Sequence, residues 1–110
     1  MTVSQTIAII LRFREEEADQ FEKLFENEVY PLWQQFKAQG KFISASLTPA
    51  QVTMDKRDGV RDYILHVEAA GMAQHDEFDS FPPFLSFLEK VRPMQPEEPK
   101  VWFGDTLFQI

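Results

Sequence analysis

The chain has 110 residues, of which 44% are hydrophobic, and this predicts one domain with an ordinary apolar core. It contains no cysteine, which excludes disulfide bonds, thiolate nucleophiles, iron–sulfur clusters and cysteine-ligated zinc. Its formal net charge of −7, together with the lack of a long apolar run or a secretion signal, predicts a cytoplasmic protein without nucleic-acid or membrane partners.

The first predicted strand, from Thr6 to Phe13, is apolar on both faces. Alternate residues of a strand point to opposite sides, so the larger apolar set lies on one face: Ile7, Ile9, Leu11 and Phe13. The other face carries Ala8 and Ile10, together with Arg12. A strand of this kind needs a packed layer on each side of its sheet.

A helix is predicted after the acidic run Glu15-Glu16-Glu17, whose carboxylates suit the positive end of a helix dipole. Apolar residues then recur at steps of three and four up to Phe36. Pro31 interrupts this stripe and predicts either a kink or a second helix that starts there. Gly40 is placed to end the helix.

Two strands follow, from Lys41 to Leu47 and from Asp62 to Ala69, with the turn signal Asp58-Gly59 between them. Alternation in the second strand groups Phe42, Ser44 and Ser46 opposite Ile43, Ala45 and Leu47. In the third strand it groups Tyr63, Leu65 and Val67 opposite Ile64, His66 and Glu68.

The rest of the chain predicts a broken helical region and a final strand. A short helix from Met72 to Phe78 precedes a longer one that begins at Pro82-Pro83 and ends before Pro93. A polar loop around Pro96 leads to a strand that starts at Lys100 and continues through Thr106-Leu107-Phe108.

The order strand, helix, strand, strand, helix, strand predicts an α+β, ferredoxin-like βαββαβ fold with a four-stranded antiparallel sheet. Both helices then cover the same face of the sheet. The opposite face keeps Ala8 and Ile10, and an exposed apolar face of this kind usually marks an interface. We therefore expect a homodimer in which two sheets close face to face into a barrel.

The strand from Thr6 to Phe13, the stretch from His75 to Leu85 and the closing Pro99-Lys100-Val101-Trp102-Phe103 carry a family resemblance. The chain resembles the dimeric α/β-barrel superfamily, and within it antibiotic-biosynthesis-monooxygenase-type domains. This resemblance implies a cofactor-independent oxygenase or isomerase acting on a small apolar or aromatic molecule, so no cofactor is expected.

The same superfamily contains haem-degrading enzymes, which typically use an asparagine on the first strand, a tryptophan near the end of the third and a histidine on the second helix. This chain has no asparagine in its first strand, and its third strand ends in Glu68-Ala69-Ala70. Only His75 matches by position, which argues against haem degradation.

His75 is the candidate catalytic residue, since an imidazole can transfer protons near neutral pH, and Asp76 or Glu77 could orient it. The alternative is a solvated histidine on a polar helix face. Trp33 follows the Pro31 break and is a candidate ligand contact, or simply part of the core. No metal site is expected from two histidines on separate elements.

Three polar residues are predicted on the lesser apolar face of the sheet: Arg12, His66 and Glu68. Arg12 and Glu68 could pair across neighbouring strands, with His66 beside them. Such a cluster could bind a small molecule, or it could be an ion pair that sets the dimer register, which is the interpretation we favour. Two functions therefore remain: an enzyme using His75, or a non-catalytic dimeric module that binds a small molecule or a partner.

Overall fold

Residues 3–110 are described by a computed structural model, and within them the chain forms four β-strands. Their bounds are β1 Gln5–Arg14, β2 Phe42–Pro49, β3 Val60–Ala69 and β4 Lys100–Asp105. The strands form one sheet in the order β2-β3-β1-β4, and each neighbouring pair is antiparallel. This is the ferredoxin-like order that the sequence predicts, with the two crossovers carried by helices.

The helices are α1 Glu15–Glu28, α2 Tyr30–Ala38, α3 Met72–Asp79 and α4 Pro82–Val91, and a 3-10 turn follows over Arg92–Met94. Each predicted helical region is thus divided in two. Pro82 and Pro83 occupy the first turn of α4, where a missing backbone N–H costs nothing. Within residues 3–110 no helix is both long and apolar enough to cross a membrane.

The division between α1 and α2 falls at Val29, so α2 begins at Tyr30, one residue before the predicted second start at Pro31. The Val29 N–H still donates to the Phe25 carbonyl at 2.9 Å, and the Trp33 N–H donates to Val29 at 2.9 Å. Pro31 has no N–H to donate, so one helical hydrogen bond is missing there while the bonds on either side persist. Gly40 closes α2 with a φ of 74°, as the sequence predicts.

The sheet register separates a covered face from an open one. Ile7 lies opposite Val67 and Phe103, and Ile9 lies opposite Leu65 and Val101. These side chains belong to the face that packs against the helices, where Phe13, Phe21, Phe36 and Tyr63 are fully buried. Ala8, Ile10 and Arg12 belong to the opposite face, which no helix covers within residues 3–110.

Two details of the strands differ from the prediction. A bulge between Phe42 and Ser44 inserts one residue, so Phe42 is buried in the core with Ala45 packed beside it, and Ile43 is exposed. Strand β4 ends at Asp105 instead of continuing to Phe108, because its partner β1 begins opposite it at Gln5. Leu107 and Phe108 are consequently exposed.

Candidate functional site

A cavity of about 780 Å³ lies between the helices and the covered face of the sheet. This volume falls within the range of pockets that bind small molecules. Its wall is largely aliphatic and aromatic, with contributions from β1, β3, α1, α2, α3 and α4, including Ile9, Leu65, Phe25, Trp33, Phe78 and Phe87. The apolar surface favours an apolar or aromatic occupant.

His75 on α3 lines this cavity and forms a hydrogen-bonded pair with Asp79. The imidazole Nε2 lies 3.0 Å from Oδ2 of Asp79, one helical turn further on, and the His75 side chain is only 11% exposed. The ring also packs edge-on against Phe103 of β4, with 5.2 Å between the ring centroids. The other nitrogen, Nδ1, is buried without a hydrogen-bond partner among the described residues.

The carboxylate that orients His75 is therefore Asp79, and the prediction that Asp76 or Glu77 does so is wrong. Residues one or two positions apart on a helix point in different directions, whereas residues four apart lie on the same side. Glu77 instead pairs with Lys41, with 2.6 Å between Nζ and Oε2. Asp76 is exposed and uses its backbone carbonyl to accept a bond from Ser80.

Asp79 also lines the cavity, and its surroundings raise the pKa of its carboxyl above the ordinary value. Loss of water on the packed side of the carboxyl is the main cause, and the negative charge of Asp76 adds to it. His75 acts in the opposite direction and lowers the Asp79 pKa by charge and by hydrogen bonding. The hydrogen bond and the negative charge of Asp76 therefore act on the Asp79 carboxyl in opposite directions.

Trp33 lies on the cavity wall, two residues after Pro31. Its indole packs edge-on against Phe25 at 4.9 Å between ring centroids, and the side chain is buried. Trp33 therefore belongs both to the core and to the cavity surface. It offers a flat apolar contact to an occupant.

A polar part of the cavity wall is formed by a loop, Gln95 to Pro99, together with Arg92. Arg92, Pro96 and Glu98 are exposed and also line the cavity, so we take this side as its mouth. Glu97 and Glu98 of this loop also line a second, smaller pocket of about 290 Å³ on the open face of the sheet. We call residues 95–99 the mouth loop. Within residues 3–110 it is the one segment outside the helices and strands that borders both pockets.

Arg12 lies on the open face, as predicted, but it pairs with Asp62 and not with Glu68. The two residues are directly opposite in the β1–β3 register, and both are buried. The guanidinium donates two parallel bonds to the carboxylate, from Nε at 2.8 Å and from Nη2 at 3.0 Å. The predicted partner is wrong because Glu68 lies opposite Thr6, six residues and about 20 Å away along the strand.

His66 and Glu68 also lie on the open face, opposite Ala8 and Thr6 respectively. Glu68 accepts a hydrogen bond from the Ser4 hydroxyl at 3.1 Å. Neither residue lines either of the two pockets. The five candidate site residues are thus divided: His75 and Trp33 meet at the cavity, Arg12 organises a separate ion cluster, and His66 and Glu68 lie apart from both.

Sequence reasoning missed Asp79, Asp62 and Glu97. The signal for Asp79 was available, since an acidic residue four positions after a histidine on a helix is a recognisable pair. The Asp62 partnership required the strand register, and Glu97 required the path of the mouth loop. Neither register nor loop path follows from local sequence.

Comparison with known proteins bears on the fold alone. No protein-family model matches the chain, and no curated protein matches it. Solved structures do match. A candidate antibiotic biosynthesis monooxygenase from Caulobacter crescentus superposes with a TM-score of 0.77 at 18% identity, over 97% of this chain and 92% of that one.

A hydroxynitrile lyase from Passiflora edulis has a TM-score of 0.69 at 15% identity, over 100% of this chain and 99% of that one. A dimeric ferredoxin-like protein from an uncultured marine organism has a TM-score of 0.74 at 12% identity, over 98% of this chain and 91% of that one. The chain therefore has the fold shared by antibiotic-biosynthesis-monooxygenase-like and dimeric ferredoxin-like proteins, as the resemblance predicts.

Proposed function

We propose that the protein is a cofactor-independent, monooxygenase- or isomerase-like enzyme that binds a small apolar or aromatic molecule between its helices and sheet. The observation that supports this most is the His75–Asp79 pair on the wall of a large apolar cavity. Pockets of this kind, with a few convergent polar groups, are typical of small-molecule sites. Because one fold hosts many activities, the site supports this function and the names of proteins with the same fold do not.

In the proposed reaction His75 is the general base. Its Nε2–H donates to ionised Asp79, which leaves the lone pair of Nδ1 without a partner among the described residues. Binding of a ligand has to uncover this buried nitrogen before it accepts a proton. The carboxylate also stabilises the imidazolium that forms. A base of this kind acts on a C–H that is acidic because its carbanion is conjugated with a carbonyl, and the apolar wall suits a planar aromatic skeleton.

Two outcomes follow from the resulting carbanion. If the proton returns to a different carbon, the reaction is an isomerisation. If the carbanion instead reacts with dioxygen, a C–O bond and a hydroperoxide form, and loss of water gives a ketone. In that case dioxygen is the oxidant, and one of its oxygen atoms leaves in the water.

We further propose that two copies pair through the open face of the sheet to form a barrel. Ile10 and Ile64 lie opposite each other on this face, and Trp102 of β4 is 61% exposed beside them. A second copy would cover this surface with an equivalent one. Solved structures of the same fold include proteins described as dimeric.

Anthrone is a suitable probe, since it is planar and has an acidic methylene group. Under anaerobic conditions in D₂O, NMR would follow exchange of the methylene protons, which reports the base step without oxygen. We expect His75→Gln to slow the protein-catalysed exchange by about a hundredfold or more. Asp79→Asn should slow it by about tenfold, because the ring loses its orienting partner.

Asp76→Asn is the matched control, since it removes an exposed carboxylate from the same helix and should leave exchange unchanged. Binding is read separately from quenching of Trp33, the one tryptophan left in a Trp102→Phe background. Binding without exchange in the wild type would overturn the enzyme proposal in favour of a non-catalytic binding module. Absence of binding would overturn the cavity as the site for this ligand class.

A further inference from the structure

Arg12 connects the sheet to two loops that are distant in sequence. Besides its two bonds to Asp62, the guanidinium donates from Nη2 to the backbone carbonyl of Asp55 at 2.8 Å, and from Nη1 to Glu97 Oε1. Asp55 belongs to the loop between β2 and β3, and Glu97 belongs to the mouth loop. One buried side chain thus holds three elements at once.

Glu97 is held from a second side by Arg57, whose Nη1 lies 3.5 Å from Oε2. Its two carboxylate oxygens are therefore both paired with guanidinium groups. Among the described residues, the remainder of the mouth loop has few comparable anchors. Pro96 and Pro99 have no backbone N–H, and the Gln95 N–H donates to the carbonyl of the nearby Arg92 at 3.1 Å. The position of the loop thus depends mainly on the Glu97 side chain.

The geometry points to Arg12, acting through Glu97, as a positioning residue that holds the mouth loop against the cavity and so sets how fast ligand enters and leaves. This inference rests on the proposed function for its ligand, although the tether itself is independent of it. Charge-assisted bonds to a buried guanidinium are among the stronger polar contacts in proteins. Arg12 touches neither the cavity nor His75, so its action is indirect.

Glu97→Gln is the principal test, because it removes the charge and keeps the size of the side chain. Glu98→Gln is the matched control, since Glu98 lines the same two pockets and makes no ion pair with Arg12. The chain has no cysteine, so Gln95→Cys supplies a single thiol in the mouth loop. Its rate of modification by a small disulfide reagent then measures opening of the loop, with or without ligand.

We expect Glu97→Gln to raise the rate of thiol modification by about tenfold, and Glu98→Gln to change it by less than about twofold. Arg12→Lys should raise the rate of thiol modification by a similar factor. The double variant should not exceed the faster of the two single variants, since both substitutions act through one contact. Equal rates of thiol modification in the wild type and in Glu97→Gln would overturn the tether, whether or not anthrone binds or exchanges its protons.

The ligand readout is the dissociation rate of anthrone, followed by recovery of Trp33 fluorescence. Glu97→Gln should speed both association and dissociation of anthrone. A merely destabilised protein would instead unfold at a lower urea concentration, which a denaturation curve of the same variant detects. Faster thiol modification with unchanged anthrone kinetics would overturn the role of the loop in ligand passage.

Discussion

At the scale of single residues, the helical position of an acidic side chain determines whether it can act on His75. Asp79 lies one turn after the histidine and reaches Nε2, whereas Asp76 and Glu77 point elsewhere. The carboxyl of Asp79 is partly withdrawn from water, which raises its pKa. Carboxyl groups with shifted pKa values are common at functional sites.

The raised pKa of Asp79 predicts a pH dependence of stability. A carboxyl whose pKa is higher in the folded chain than in the unfolded chain binds its proton more tightly when folded. Its contribution to the free energy of unfolding is therefore fully present below the ordinary pKa of 3.8 and is lost as pH rises through the folded pKa. Urea unfolding between pH 3 and 5.5 should show the wild type losing stability relative to Asp79→Asn as pH rises. If the difference in free energy of unfolding between the two proteins stays constant with pH, or changes in the opposite direction, the raised pKa is contradicted.

At the scale of elements, aromatic contacts join the helices to the sheet. Phe36 of α2 is completely buried and packs against Phe42 of β2 at 5.2 Å and Phe78 of α3 at 5.0 Å, measured between ring centroids. The bulge at Ile43 is what turns Phe42 inward to make this contact. Because α3 carries His75, this cluster also supports the site.

Phe36→Ala should lower the free energy of unfolding by about 3–5 kcal/mol, since it leaves a cavity at the meeting point of three elements. Tyr30→Ala is the control on the same helix, because Tyr30 is 51% exposed, and it should change stability by less than about 0.5 kcal/mol. Urea denaturation measures both. A loss below about 1 kcal/mol for Phe36→Ala would show that the helices do not depend on this contact.

At the scale of the whole molecule, the two faces of the sheet have different roles. The covered face forms the wall of the cavity and carries the proposed chemistry. The open face carries the Arg12 cluster and an apolar surface, and we propose that a second copy covers it. The mouth loop borders both, so assembly and ligand passage meet at one segment of five residues.

Ile64→Lys tests the proposed dimer, since Ile64 is 42% exposed at the centre of the open face. Burial of a lysine there without a partner would be costly, so we expect a monomer by sedimentation at micromolar concentration. Leu85→Lys is the matched control on α4, where the leucine is 44% exposed on the helical side, and it should leave the dimer intact. A monomeric wild type, or a dimeric Ile64→Lys, would contradict assembly through this face.

The sequence alone determined the order of the elements, the two faces of β1 and the position of His75. These follow from local rules: period-two alternation in strands, steps of three and four in helices, and the restrictions imposed by Pro31, Pro82 and Gly40. Each rule acts over a few residues, so it can be read without knowing the rest of the chain. The pairing of Asp79 with His75 belongs to the same class.

Only the tertiary structure decided which distant groups meet. The register of β1 with β3 places Arg12 opposite Asp62, and the path of the mouth loop brings Glu97 to the same guanidinium from 85 positions away. A bulge of one residue turned Phe42 into the core. Register, bulges and loop paths are selected by the packing of the whole chain, because their local alternatives differ little in energy until the core forms.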